Sequence, residues 1–249
     1  MRKLSIILAS LLLLSTMLAV VQAGASPRIE KVTFIHYLSP SSSKPTWDEN
    51  EDDYRLISGG IRWTKFPVVY EVNLAGSGLE DVDVVYDMDG DETDEPDALE
   101  ALQLASEEWD DGAYSQWGGV SIDLFKENPT ITDKGVGFDG YNVLVWSVLD
   151  EGVIAVTHIW YNPATKEIVE FDIEFNSLYP WSCGLEAEDG KMDLQNIATH
   201  ELGHGVGLGD LRPPKDWALT MFAYSDFEET IKRDLGRGDQ LGVKDLYEP

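Results

Sequence analysis

His200-Glu201-Leu202-Gly203-His204-Gly205-Val206-Gly207-Leu208-Gly209-Asp210 is the stretch that decides the fold of this 249-residue chain. It spells H-E-x-x-H-x-x-G-x-x-D. Residues four apart share one face of a helix, so His200 and His204 can present their imidazoles to a single metal ion. Two imidazoles at that spacing suit Zn2+. Glu201 is then placed to polarise the attacking water rather than to bind the metal. H-E-x-x-H alone also fits a helix face that is merely polar. The extension separates the two readings. Gly207 can take a left-handed backbone conformation without a Cβ penalty, which stops the helix and turns the chain back. Asp210 then arrives near the same metal as a third ligand.

Outward from this stretch, Asp193–Gly207 reads as the helix that carries the motif, and Asp234–Tyr247 as a last helix. Pro96–Asp110 reads as another. Pro96 suits its first position, Asp94 or Glu95 can cap it, and Leu99, Leu102 and Trp109 recur near helical spacing. Val68–Asn73, Ser121–Phe125, Asn142–Trp146, Val153–Tyr161 and Glu167–Phe175 read as strands, with a turn at Asn162-Pro163-Ala164-Thr165. This order predicts an α+β layered domain.

Further segments carry a resemblance. Leu219-Thr220-Met221-Phe222-Ala223-Tyr224 follows the motif. Asp193-Leu194-Gln195-Asn196-Ile197-Ala198-Thr199 leads into it. Asp234–Tyr247 closes the chain, and Gly60–Tyr70 opens the domain. Together they resemble the metzincin metallopeptidases, in their matrixin-like branch, over about residues 59–249. The resemblance implies a metzincin-like zinc-peptidase domain: a twisted mixed β-sheet, a zinc-binding active-site helix, a Met-turn and a C-terminal helix. It implies one catalytic zinc on His200, His204 and Asp210, with Glu201 as general base and proton shuttle. Most of the clan has a third His; an Asp there resembles the snapalysin-like enzymes. Met221 is implied as the Met-turn residue beneath the ligands. Tyr224 is implied as an oxyanion donor or pocket wall, although Ala223 stands where matrixins have Pro. Ile154–Trp160 is implied as the strand edging the cleft, to which a substrate adds as an antiparallel strand. Matrixins hold a second, structural zinc with three His and one Asp; His158 alone is available here, so none is expected. Their latent forms use a propeptide Cys, and no Cys precedes the catalytic segment.

Composition bounds the rest. Apolar residues make up 43% and charged residues 26%, so a packed core can form. Net charge is −28, and it falls to about −30 without Arg2 and Lys3. Such a chain repels nucleic acid and anionic membranes. Met1-Arg2-Lys3, the apolar run Leu4–Val21 and Val21-Gln22-Ala23 read as a signal peptide over 1–23, hence a secreted protein. Retained, the run 4–21 is instead a membrane anchor. Residues 24–58, with the linker Ser39-Pro40-Ser41-Ser42-Ser43-Lys44-Pro45, form an N-terminal leader or short propeptide, and 59–249 the catalytic domain. The single cysteine, Cys183, excludes an internal disulfide. Asp87, Asp89 and Asp91 alternate around Gly90 in a pattern that suits Ca2+, but the bidentate Glu of an EF-hand falls on Ala98, and a solvated acidic loop fits equally. Asp139-Gly140-Tyr141-Asn142 is a weaker turn of the same kind. A monomer acting on peptide or protein substrates is expected. The rival is an inactive zinc- and calcium-stabilised secreted module that binds peptides or surfaces. Such a module has no need of Glu201.

Overall fold

The computed structural model describes residues 28–40, 51–79, 97–110 and 120–248. At its centre lies the motif helix, α2 (Leu194–Val206), in which every residue except Gln195 is buried. Asp193 caps it by accepting the Asn196 N–H at 2.8 Å, and Arg233 holds Asp193 through Nε and Nη2. Its C-terminus is a Schellman turn. Gly207 sits at φ 112°, its N–H donates to the His204 carbonyl, and the Leu208 N–H donates to the Gly203 carbonyl. The Gly205 and Val206 carbonyls accept from Trp63 Nε1–H and the Tyr247 hydroxyl, so the buried helix end keeps no orphan there.

One sheet covers α2. Its strands are β1 (Glu30–Leu38), β2 (Glu71–Asn73), β3 (Thr130–Ile131), β4 (Val143–Ser147), β5 (Val153–Asn162), β6 (Glu167–Asn176) and, beyond the short parallel pair β7 (Trp181–Ser182) and β8 (Met192–Asp193), β9 (Tyr224–Ser225). Their order is β3-β2-β4-β6-β5-β1-β9. β3, β2, β4 and β6 run parallel, β5 is antiparallel to β6 and to β1, and β9 is parallel to β1. The parallel strands are joined by crossovers, as parallel pairing requires. Helix α1 (Ala98–Asp110) packs on α2, and Trp109 donates its Nε1–H to the Thr199 carbonyl. Helix α3 (Arg237–Tyr247) closes the domain, with Val243 and Leu246 in the core. The arrangement is the mixed α+β domain that the resemblance implies.

Several details differ from the sequence reading. The cap of α1 is Asp97, whose Oδ1 accepts the Leu99 and Glu100 N–H groups, because a cap must stand one residue before the first turn. Val68 and Phe125 form only an isolated bridge, so the Ser121–Phe125 strand reduces to one residue and β2 is shorter than Val68–Asn73. β1 was not read as a strand at all. Cys183 is half-buried against the core, and burial pushes its thiol up to about 12. Among the described residues no helix is long and apolar enough to cross a membrane. Residues 1–23 and the Asp87, Asp89, Asp91 loop lie outside the described residues. The Asp139–Asn142 turn is held by buried Glu170, which accepts the Asp139 and Gly140 N–H groups.

The helix leaves no room beside Gly203. A Cβ there would stand 2.2 Å from Met221 Sδ and 2.6 Å from Trp109 Cζ2. Gly203→Ala is therefore expected to cost about 1–3 kcal/mol through overpacking, read as a lower denaturant midpoint with an unchanged slope.

Candidate active site

The two histidines are aimed before any ion arrives. His200 Nδ1–H donates to the Thr220 carbonyl at 2.7 Å, and His204 Nδ1–H donates to the Leu208 carbonyl at 2.7 Å. Each bond fixes the tautomer, so both Nε2 atoms carry free lone pairs. Past Gly207 the chain is tied down by the Gly209 N–H to the Arg55 carbonyl, then by Leu211 bridging Phe222. This course carries Asp210 back over the helix. Its Oδ1 lies 3.6 Å from His200 Nε2 and 3.4 Å from His204 Nε2.

These separations are too long for strong hydrogen bonds. All three atoms are buried without a hydrogen-bond partner. Three orphaned donor atoms converging within 4.8 Å of one another are costly unless something joins them. A tetrahedral ion with bonds of roughly 2.1 Å has edges of roughly 3.4 Å, so the set fits zinc. Burial alone would raise the Asp210 carboxyl, but the adjoining imidazoles of His200 and His204 override it and hold the group far below the carboxylate range. Burial pushes His200 down to about 4, favouring the neutral imidazole a metal requires. His204 moves upward instead: burial opposes the shift, and Asp210 drives it.

Glu201 is fully buried beside this triad. Thr157 on β5 donates its hydroxyl to Oε2 at 2.5 Å. Burial raises the Glu201 carboxyl, the direction a base working near neutrality needs. His36 on β1 lies with Nδ1 3.0 Å from Glu201 Oε1 and Nε2 3.1 Å from Ser225 Oγ. Burial lowers His36 to about 3, so it is neutral.

Met221 lies under α2, its sulfur against Gly203. The turn that carries it is fixed by Asp239 at the start of α3. Asp239 Oδ2 accepts the Thr220 N–H at 2.8 Å and Oδ1 the Met221 N–H at 3.0 Å. Since Thr220 in turn aims His200, Asp239 positions a candidate ligand without touching it. Its sequence signal is weak, an Asp at the third residue of a helix. Asp239→Asn would set an amide NH2 against backbone N–H donors. It is expected to weaken zinc binding roughly 10–100-fold, read by competition with a chromogenic chelator.

Tyr224 lies in β9, next to the Ser225 that His36 reaches. Its backbone pairs with Tyr37 in β9, its carbonyl accepts from Lys232 Nζ, and its ring packs edge-on against Phe222. His158 lies on β5 with Nε2 bound to Glu174 at 2.9 Å and Nδ1 to Thr33 at 3.1 Å. The expected open edge at Ile154–Trp160 is corrected by the structure: β1 covers β5 from Glu30 opposite Tyr161 to Tyr37 opposite Val153. An unpaired edge strand invites a partner, and a segment of the same chain supplies it. His36, Asp239 and Thr157 are the site residues the sequence did not disclose.

Comparison with known proteins points the same way. A family model described as Matrixin matches residues 84–248. Matrix metalloproteinase-16 of Homo sapiens and of Rattus norvegicus are each 35% identical over 78 residues, 31% of this chain. The match spans only 12% of the length of those relatives.

Proposed function

Because the chain belongs to the matrixin family, we propose that it is a secreted zinc-dependent endopeptidase, with His200, His204 and Asp210 holding one zinc and Glu201 as general base. The observation that carries the reading is the convergence of three orphaned ligand atoms beside a buried carboxylate. When bound, zinc supplies Lewis acidity at the scissile carbonyl and acidifies water.

The rest falls to the chain itself. Glu201 takes the proton of the attacking water and passes it to the leaving amine. Thr157 holds the carboxylate through Oε2, and His36 meets Oε1. Met221 and Trp109 pack buried beneath the helix against Gly203 and give the site an apolar floor. A module that only bound peptides would have no use for a carboxylate buried at this point. The signal-like 1–23 segment supports export.

The test is cleavage of an unfolded protein by the full chain at high enzyme concentration. New amino termini are expected with zinc, none with a chelator, and recovery when zinc is returned. Unchanged cleavage in chelator would overturn the reading.

A further inference from the structure

β1 lies where a substrate strand would lie. We propose that Glu30–Leu38 is a built-in occupant of the substrate groove that keeps the site closed until it is released. The inference rests on the endopeptidase reading above. Three observations carry it.

The first is backbone geometry. β1 runs antiparallel to β5 over most of its length and ends parallel to β9, through Tyr37 opposite Tyr224 and Leu38 opposite Ser225. A segment clasped on both edges in this way binds as an added strand, the mode by which an extended peptide is taken up by a sheet edge.

The second is side-chain placement. Alternation along the strand sends Phe34 and His36 to the same face. The Phe34 ring stacks on His204 with centroids 4.1 Å apart, and His36 lies over His200 at 4.0 Å. They bracket Ile35 above the candidate metal ligands.

The third is the state of Glu201. His36 engages Oε1 while Thr157 engages Oε2, so each oxygen of the proposed base already has a side-chain partner. On its other side His36 meets a polar wall. Ser225 Oγ donates to Glu229 Oε1 at 2.9 Å, and Lys232 Nζ donates to Ser225 Oγ at 2.8 Å and to Glu229 Oε1 at 2.6 Å. Imidazole suits this place because it offers a hydrogen-bonding nitrogen at each end. The sequence that follows β1, Ser39-Pro40-Ser41-Ser42-Ser43-Lys44-Pro45, has the composition of a linker that a protease can cut.

The experiment inserts a specific protease site between Ser42 and Ser43 of the full chain. A tethered segment acts at roughly mM effective concentration, so one that binds at roughly 10 μM when free keeps about 99% of grooves filled. Cutting, followed by dilution to nanomolar, is expected to raise cleavage of an unfolded protein on the order of 100-fold. A synthetic 28–40 peptide added back should raise KM and leave kcat unchanged. Its binding is also read by fluorescence anisotropy, independently of turnover. The same peptide with His36→Ala should bind roughly 10-fold more weakly, having lost two buried hydrogen bonds. Equal rates before and after release overturn the proposal and leave the endopeptidase reading standing. Unfolding on release, seen by circular dichroism, also overturns it, because β1 is then a structural strand. Peptide binding without cleavage in any form overturns the endopeptidase reading, and the proposal with it.

Discussion

Glu201→Gln is expected to lower cleavage by the zinc-loaded, groove-cleared protein on the order of 10²–10⁴-fold, the usual worth of a positioned general base. The substitution is nearly isosteric. Thr157 can still donate to the amide oxygen, and the buried site keeps its packing. What disappears is the capacity to accept a proton from water. Because Glu201 contributes no atom to the His200, His204, Asp210 set, zinc should stay bound one per chain. The loss should fall on kcat and leave KM nearly unchanged, since the interaction lost is made in the transition state. Kinetics combined with metal analysis of the same sample checks this. A variant that keeps its rate would remove Glu201 from the mechanism.

The second large effect concerns Asp210. Asp210→Ala is expected to weaken zinc binding by at least about 100-fold, the upper end of what loss of a supporting residue costs. Two imidazoles then face each other with no anion between them. Asp210 is held by the Gly207 turn, the Gly209–Arg55 bond and the Leu211–Phe222 bridge, so the fold around it should survive. A chelator-competition titration reads the affinity, and a thermal melt without metal reads the fold. Full zinc occupancy in the variant would show that the third ligand lies elsewhere.

The ease with which these residues could be read follows from distance along the chain. His200, Glu201 and His204 lie within one helix, where a spacing of four fixes a common face whatever the rest does. Asp210 was legible because Gly207 allows only a few continuations, and the Schellman turn is one of them. The strands β4 and β5 announce themselves through β-branched and aromatic runs buried on both faces, and β6 through Phe171, Ile173 and Phe175 alternating with Asp172 and Glu174. Other features depend on partners far away. Glu30–Leu38 carries Lys31, Thr33 and Tyr37 on its outer face and reads as a polar leader; only pairing with β5, more than a hundred residues on, makes it a strand. His36 gains its meaning from Glu201 and Ser225 in the same way. Asp239 acts across the Met221 turn, a contact that no local pattern encodes. The cap of α1 was misplaced because several acidic residues precede the helix, and sequence does not choose among them.

The central claim is that one zinc sits on His200, His204 and Asp210, with Glu201 and His36 outside its shell. Zinc K-edge X-ray absorption on the full chain, with metal content measured on the same sample, tests it most directly. The account predicts one zinc per chain, two imidazoles, only oxygen in the remaining positions, and no sulfur from Cys183. A third imidazole would bring His36 into the shell and contradict it, as would a sulfur ligand or a chain that holds no stoichiometric zinc.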